Sequence, residues 1–193
     1  MNELYHHGVL GQKWGVRRFQ NKDGSLTDAG RDHYHEKRLI STRTRNAAKT
    51  KDDVDSIFNS LSAKDRALLD ADPNDKEWLS FEAGQYVAKR FLKKIGDEPV
   101  AFLDVMDLGG EYTIALATKS GDKYRGKGYA SELGRKAVEW LNTNPEVMNK
   151  KVKVTWAART ENVASNKVAE KLGFVKDESD SDDKWNMYSL ERS

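Results

Sequence analysis

The 193-residue chain contains no cysteine, which excludes disulfides, thiolate metal sites and cysteine nucleophiles. It also lacks any apolar run of membrane-spanning length, and its first residues lack the apolar stretch of a secretory signal. A soluble protein of a reducing compartment, with no membrane partner, is the expectation. Net charge is scarce as well. The 33 basic and 31 acidic side chains leave +2, too little to indicate nucleic acid by itself. No internal repeat or long low-complexity tract is present.

What charge there is lies unevenly, with ten basic and five acidic side chains within residues 1–50. A basic arm on a slightly acidic body describes this better than a uniform surface. The length allows one domain with a full core plus a modest appendage. We place the arm at residues 1–49 and the domain at residues 50–193. The arm holds all four histidines and five glycines but little apolar periodicity. Asn21-Lys22-Asp23-Gly24-Ser25 reads as a turn, and Thr27 or Asp28 as the cap of a short helix.

From residue 52 the pattern becomes helical. Val54, Ile57, Phe58 and Leu61 recur on one helix face, and Ser62-Ala63-Lys64-Asp65 resembles a capping box opening a second helix through Leu69. Asp72-Pro73-Asn74-Asp75 would stop it. Beyond residue 84 the period changes. Strands are expected at residues 100–106 and 112–117, with Gly109-Gly110 turning between them. A helix follows over residues 130–141, then a half-buried strand in which Val152, Val154 and Trp156 alternate with Lys153 and Thr155. Residues 162–172 form a helix ending at Gly173, a suitable left-handed cap. Residues 174–175 and 185–190 complete the order ββαβαββ, a mixed α/β architecture on one sheet.

The most informative stretch is Arg125-Gly126-Lys127-Gly128-Tyr129-Ala130, between a strand and an amphipathic helix. Its glycines and alanine let the backbone approach a ligand closely, and the free N–H groups at the helix start favour phosphate oxygens. Arg125 and Lys127 add positive charge there. The loop is neither a Walker loop nor a dinucleotide fingerprint, since the Gly-Lys-Ser/Thr ending and third glycine are missing.

Arg125-x-x-Gly128-x-Ala130 resembles the Gln/Arg-x-x-Gly-x-Gly/Ala signature of the GNAT superfamily of N-acetyltransferases. Asn162-x-x-Ser165, followed by Glu170-Lys171-Leu172-Gly173-Phe174, resembles that family's next motif. The resemblance covers residues 52–193. Tyr129 and Val168-Ala169-Glu170-Lys171 are most similar to the branch that acetylates protein N-termini, ribosomal proteins among them, and some antibiotics. It implies a GNAT fold, a mixed central sheet flanked by helices. It also implies acetyl-CoA in a cleft where two parallel strands splay apart, and direct attack of an amine on the thioester.

By that pattern Thr118, Lys119 and Ser120 would face the pantetheine and thioester. Arg125, Gly126, Lys127, Gly128, Tyr129 and Ala130 would hold the pyrophosphate. Asn162 would face the pantetheine arm and Ser165 would lie near the sulfur. Glu111 is the candidate base, with an exposed turn carboxylate beside Gly110 as the alternative. Many GNAT enzymes have a tyrosine acid directly before the Glu-Lys-Leu-Gly-Phe block, but here that position is Ala169. Ser165 and Tyr188 are the candidates to protonate the thiolate in its place. Trp140 and Trp156 are expected in the core.

In the arm, His6-His7-Gly8-Val9-Leu10-Gly11-Gln12-Lys13-Trp14-Gly15-Val16-Arg17-Arg18-Phe19, then Gln20-Asn21-Lys22-Asp23-Gly24-Ser25-Leu26-Thr27, resembles a segment at the ends of bacteriophage and prophage structural proteins. It implies a phage or prophage setting, with host cytoplasm or virion as the location and a head or host protein as partner. His6, His7, His33 and His35 lack an accompanying cysteine or fixed acidic ligand, so solvated or packing roles are favoured over a metal site. Lys13-Trp14 and Arg17-Arg18-Phe19 suit nucleic acid or a docking partner equally. Two functions follow: an acetyl-CoA-dependent N-acyltransferase acting on an amine of a protein or small molecule, or a phage structural or host-interaction protein using the same fold as a scaffold.

Overall fold

Strand Glu98–Asp107 (β2) is buried along almost its whole length, and its alternate residues feed two separate cores. Ala101, Leu103 and Val105 point to one face of the sheet, and Phe102 points to the other. A strand covered on both faces reads as a nearly continuous apolar run, as residues 100–106 do except at Asp104, which is buried and paired with Arg90 at 2.6 Å. The computed structural model describes residues 49–69, 86–109, 111–148 and 153–191. The basic arm through residue 48, including its histidines, its expected turn and its expected cap, lies outside the described residues. So does the Asp72-Pro73 stop.

The elements run, in chain order, α1 (Lys51–Asn59), α2 (Ala63–Leu68), β1 (Val87–Ile95), β2, β3 (Glu111–Thr118), α3 (Tyr129–Thr143), α4 (Pro145–Met148), β4 (Lys153–Arg159), α5 (Val163–Lys171), β5 (Val175–Lys176) and β6 (Trp185–Leu190). The six strands form one sheet in the order β1-β2-β3-β4-β6-β5. Only β3 and β4 are parallel; the other neighbouring pairs are antiparallel. This is the mixed α/β sheet expected, with one strand more than the sequence pattern offered. The additional strand is β1. Its nine residues do not alternate cleanly, and its pairing with β2 carries two register shifts.

Helix α1 covers one face. Val54, Ile57, Phe58 and Leu61 bury against Phe102 and Ala117, the stripe that the helical spacing indicated. The opposite face carries the larger core, where Leu133, Ala137 and Leu141 of α3 and Ala169 of α5 pack on Leu103, Tyr112, Val154, Trp156 and Tyr188. Helices α3 and α5 meet closely at Gly134, where a Cβ would sit 2.3 Å from Leu172 Cδ1. Among the described residues no helix is long and apolar enough to cross a membrane.

The feature that positions the site is the short pairing between β3 and β4. Glu111, Tyr112 and Thr113 pair with Lys153, Val154 and Thr155, and the register stops there. Both strands continue, β3 to Thr118 and β4 to Arg159, so their C-terminal ends diverge and leave a gap in the sheet. Ligands in open α/β sheets bind outside the carboxyl ends of such strands.

Candidate active site

The divergent strand ends open into a cavity of about 890 Å³. Its walls are Leu116, Ala117 and Thr118 of β3, Trp156 of β4, residues 124–131 of the glycine loop and first turn of α3, and residues 161–165 with Val168 around the start of α5. Helix α2 closes another side with Lys64, Asp65 and Leu68, and Leu61 just before it adds to that wall. A cavity of this size suits a large organic ligand.

The glycine loop is shaped by local chemistry. Gly126 and Gly128 adopt φ of 68° and 78°, a left-handed region costly to any residue with a Cβ. A Cβ at either position would meet no protein atom within 4 Å, so the space above the loop is open. Gly128 caps α3 without a side-chain hydrogen bond. The first intrahelical bond runs from the Glu132 N–H to the Gly128 carbonyl at 2.9 Å. The N–H groups of Tyr129, Ala130 and Ser131 therefore have no acceptor within the helix, and the three residues line the cavity. With the helix dipole and the cations of Arg125 and Lys127, this is a cradle for a diphosphate.

Two polar clusters hold this loop. Glu98, at the start of β2, accepts from the Tyr124 hydroxyl at 2.5 Å, Lys123 Nζ at 3.1 Å and Lys119 Nζ at 3.3 Å. These donors, the tyrosine first, hold its carboxyl at about 2, well below the usual value. The second cluster centres on Asp65, whose carboxylate takes donors from the Ser120 hydroxyl and the Arg125 guanidinium. Ser62 Oγ accepts from the Asp65 N–H at 3.1 Å, which is one half of the capping box. The other half is missing, because the Ser62 N–H goes to Ser120 Oγ at 2.8 Å and the Asp65 carboxylate to the loop.

The start of α5 forms the facing wall. Asn162 Oδ1 caps the helix by accepting from the Ser165 N–H at 3.2 Å. Ser165 Oγ accepts from the Trp156 indole N–H at 3.0 Å. Behind them Asn166, buried, donates to the carbonyls of Arg159 at 2.9 Å and Asn162 at 2.9 Å, and a longer contact reaches Thr160 at 3.4 Å. Its Oδ1 accepts from Asn186 Nδ2 at 3.0 Å and from the Tyr188 hydroxyl at 2.9 Å.

The residues expected from the sequence divide accordingly. Thr118, Arg125, Gly126, Lys127, Gly128, Tyr129, Ala130, Asn162 and Ser165 come together around the cavity. Lys119 and Ser120 adjoin it, but their side chains turn to Glu98 and Asp65. Glu111 is placed elsewhere. It pairs with Lys153 at the closed end of β3, about 23 Å along the strand from Thr118. Tyr188 also lies away from the cavity, 2% exposed in the core. Burial, with the Glu170 carboxylate adding to it, pushes its hydroxyl above the usual tyrosine value, and the hydroxyl donates to Asn166 Oδ1. Ala169 is in the core too. Asp65, Glu98 and Tyr124 were not singled out as site residues, and Trp156 combines its expected core position with a place in the cavity wall. Among the described residues no cluster of three metal-ligating side chains occurs.

Comparison with known proteins agrees with this geometry. A family model described as an acetyltransferase (GNAT) domain matches residues 15–175. An acetyltransferase from Agrobacterium tumefaciens is 17% identical over 72% of this chain and 84% of its own, with a TM-score of 0.54. A GNAT-family acetyltransferase from Bacillus anthracis is 18% identical over 74% and 87%, with a TM-score of 0.50. No curated protein sequence matches the chain. With the model spanning most of its length, the chain belongs to the GNAT family of N-acetyltransferases, enzymes that draw their acetyl group from acetyl-CoA.

Proposed function

We propose that the cavity between β3 and β4 binds acetyl-CoA and passes its acetyl group to an amine of a protein or small molecule. The observation that carries this reading is the opening of the two strands, after only three paired residues, onto the glycine loop at the start of α3. Arg125, Gly126, Lys127, Gly128, Tyr129 and Ala130 would hold the pyrophosphate through free N–H groups and two cations. Thr118 and Asn162 would flank the pantetheine arm. The bound donor supplies a thioester whose carbonyl carbon an amine can attack, forming C–N and breaking C–S as the thiolate leaves and the amine proton passes to solvent. Of the three candidate catalytic residues, Ser165 alone lines the cavity, which supports it as the group facing the sulfur.

The finer assignments rest on motif resemblance. Tyr129 and Val168-Ala169-Glu170-Lys171 support a place in the branch that acetylates protein N-termini, ribosomal proteins included, and so a protein α-amine as acceptor. The segment from His6 to Thr27 supports a phage or prophage setting in host cytoplasm or virion, with residues 1–49 as a docking arm. Calorimetry with acetyl-CoA tests the central reading. One-to-one binding is expected, weakened at least tenfold when Arg125 and Lys127 are both alanine. A folded protein that does not bind acetyl-CoA would refute it. Mass spectrometry of candidate proteins incubated with the enzyme and acetyl-CoA then identifies the acceptor by its added acetyl group.

A further inference from the structure

Ser165 stands at the start of α5 with a hydroxyl that both gives and takes a hydrogen bond, whereas the indole N–H of Trp156 only gives. The 3.0 Å bond between them therefore has one possible sense: Trp156 donates and Ser165 accepts. That occupies one lone pair of the oxygen and directs the serine proton away from the indole. A serine in a helix ordinarily returns its proton to a carbonyl three or four residues earlier. Here the carbonyl of Asn162 already accepts from the Asn166 N–H at 3.1 Å and from Asn166 Nδ2 at 2.9 Å, so both its lone pairs are engaged. The Glu161 carbonyl accepts from the Val163 N–H at 3.0 Å. Among the described residues none takes the Ser165 hydroxyl proton, and Ser165 lines the cavity.

The donor is also fixed in direction. Trp156 is 3% exposed, stands opposite Tyr188 in the β4–β6 pair, and meets Phe174 edge-on at 5.6 Å and 69°. An indole packed on strand and core cannot swing to follow a rotating hydroxyl. We infer that Trp156 is a positioning residue, which by donating to Ser165 aims the serine proton into the cavity at the sulfur of the bound acyl carrier. The inference rests on the reading of the cavity as the acetyl-CoA cleft. It gives the chain an oriented donor for the departing thiolate although Ala169 occupies the usual tyrosine position. A donor that needs no reorientation when charge appears on sulfur is the form of stabilisation that a buried site makes strongest.

The test uses the full chain and needs no acceptor. The thiol of bound CoA is titrated by the ultraviolet absorbance of its thiolate, with the desulfo-CoA complex as the blank. In the wild type the bound thiol is expected to ionise at lower pH than free CoA, by about one unit, a tenfold shift in the thiolate equilibrium. Ser165→Ala should abolish the shift. Trp156→Phe, which keeps an aromatic side chain but removes the pyrrole ring with its N–H, should lose most of the shift when measured at saturating CoA. If Trp156→Phe keeps the full shift while Ser165→Ala loses it, serine acts without tryptophan and the inference falls. If neither variant changes it, the donor lies elsewhere and the inference falls with it. A wild type that does not bind desulfo-CoA overturns the cleft reading itself, an outcome distinct from both.

Should Trp156→Phe not fold, the indole N–H resonance of the wild type decides. Slow exchange with solvent, lost in Ser165→Ala, supports the bond, and fast exchange in the wild type refutes it.

Discussion

Gly128 and Gly173 offer a matched pair for separating the strain of a backbone from the work it does. Both have left-handed φ, 78° and 89°, and at both an added Cβ would meet nothing within 4 Å. Replacement by alanine should therefore cost the same kind of energy at each, about 1–2 kcal/mol of backbone strain with no clash added. For a domain of this size each kcal/mol lowers the melting temperature by about 2–4 °C, so both variants should melt about 2–8 °C below the wild type. Their positions differ. Gly128 caps α3 inside the cavity wall, and Gly173 follows the far end of α5 without lining the cavity. Acetyl-CoA affinity should accordingly fall at least about tenfold in Gly128→Ala, about 1.4 kcal/mol, and remain unchanged in Gly173→Ala. Thermal melts and calorimetry on the two purified variants decide it. Equal affinity in both, with equal loss of stability, would refute the assignment of the loop as the diphosphate cradle.

Two further changes probe what holds the cavity walls. Glu98, with its carboxyl lowered from 4.5 to about 2 by Tyr124, Lys123 and Lys119, adds stability that is complete above pH 4.5 and disappears as pH falls toward 2. Glu98→Gln should thus be less stable than the wild type at neutral pH and converge with it in acid, as read from denaturant midpoints across pH; a constant difference down to pH 2 would contradict the assignment. Asn166→Ala strips donors from two close carbonyls and removes the acceptor at 2.9 Å from the Tyr188 hydroxyl. It should cost about 2–3 kcal/mol in denaturation and also weaken acetyl-CoA binding, whereas unchanged binding would mean that α5 holds its place without this junction.

Much of the fold is written locally. The stripe of Val54, Ile57, Phe58 and Leu61 along and just after α1 and the glycine that follows α5 act within a few residues of chain and lie where their patterns placed them, whereas the alternation expected along β4 fails at Thr155, which is buried between Val154 and Trp156. Strand β1 is different. In Val-Ala-Lys-Arg-Phe-Leu-Lys-Lys-Ile the large apolar residues stand four, five and eight positions after Val87, a spacing nearer to a helix than to a strand. Its pairing with β2 explains this, since register shifts at Val87/Lys89 and Lys93/Lys94 break the two-residue period, and an edge strand needs less burial. Helix α4, at four residues, is too short to carry a period. The glycine loop was legible because its chemistry demands unusual residue types in sequence. Asp65 and Glu98 were not, because their partners lie up to 60 residues away. Glu111 shows the remaining difficulty. A residue beside a strand that lines a cavity is still remote when the strand opens at its other end.

The opening of β3 from β4 carries a structural requirement of its own. Beyond Thr113 and Thr155 the ladder that would hold the two strands at a fixed separation is gone, so the width of the cavity must be set from outside the gap. On the β3 side, Glu98 ties the loop to the β1–β2 hairpin and Asp65 ties it to α2. On the β4 side, Asn166 joins the turn after β4 to β6, which stays paired with β4 along its whole length. The two walls thus rest on different polar clusters, and the residues at the centre of two of them, Glu98 and Asn166, do not line the cavity. Asp65 is the exception, because it also lines the cavity beside Arg125. A guanidinium shared between that carboxylate and a bound diphosphate would link the placement of α2 to occupancy of the cradle. The ties on the β4 side contain no charged pair, so salt should loosen the loop wall and leave the α5 wall in place.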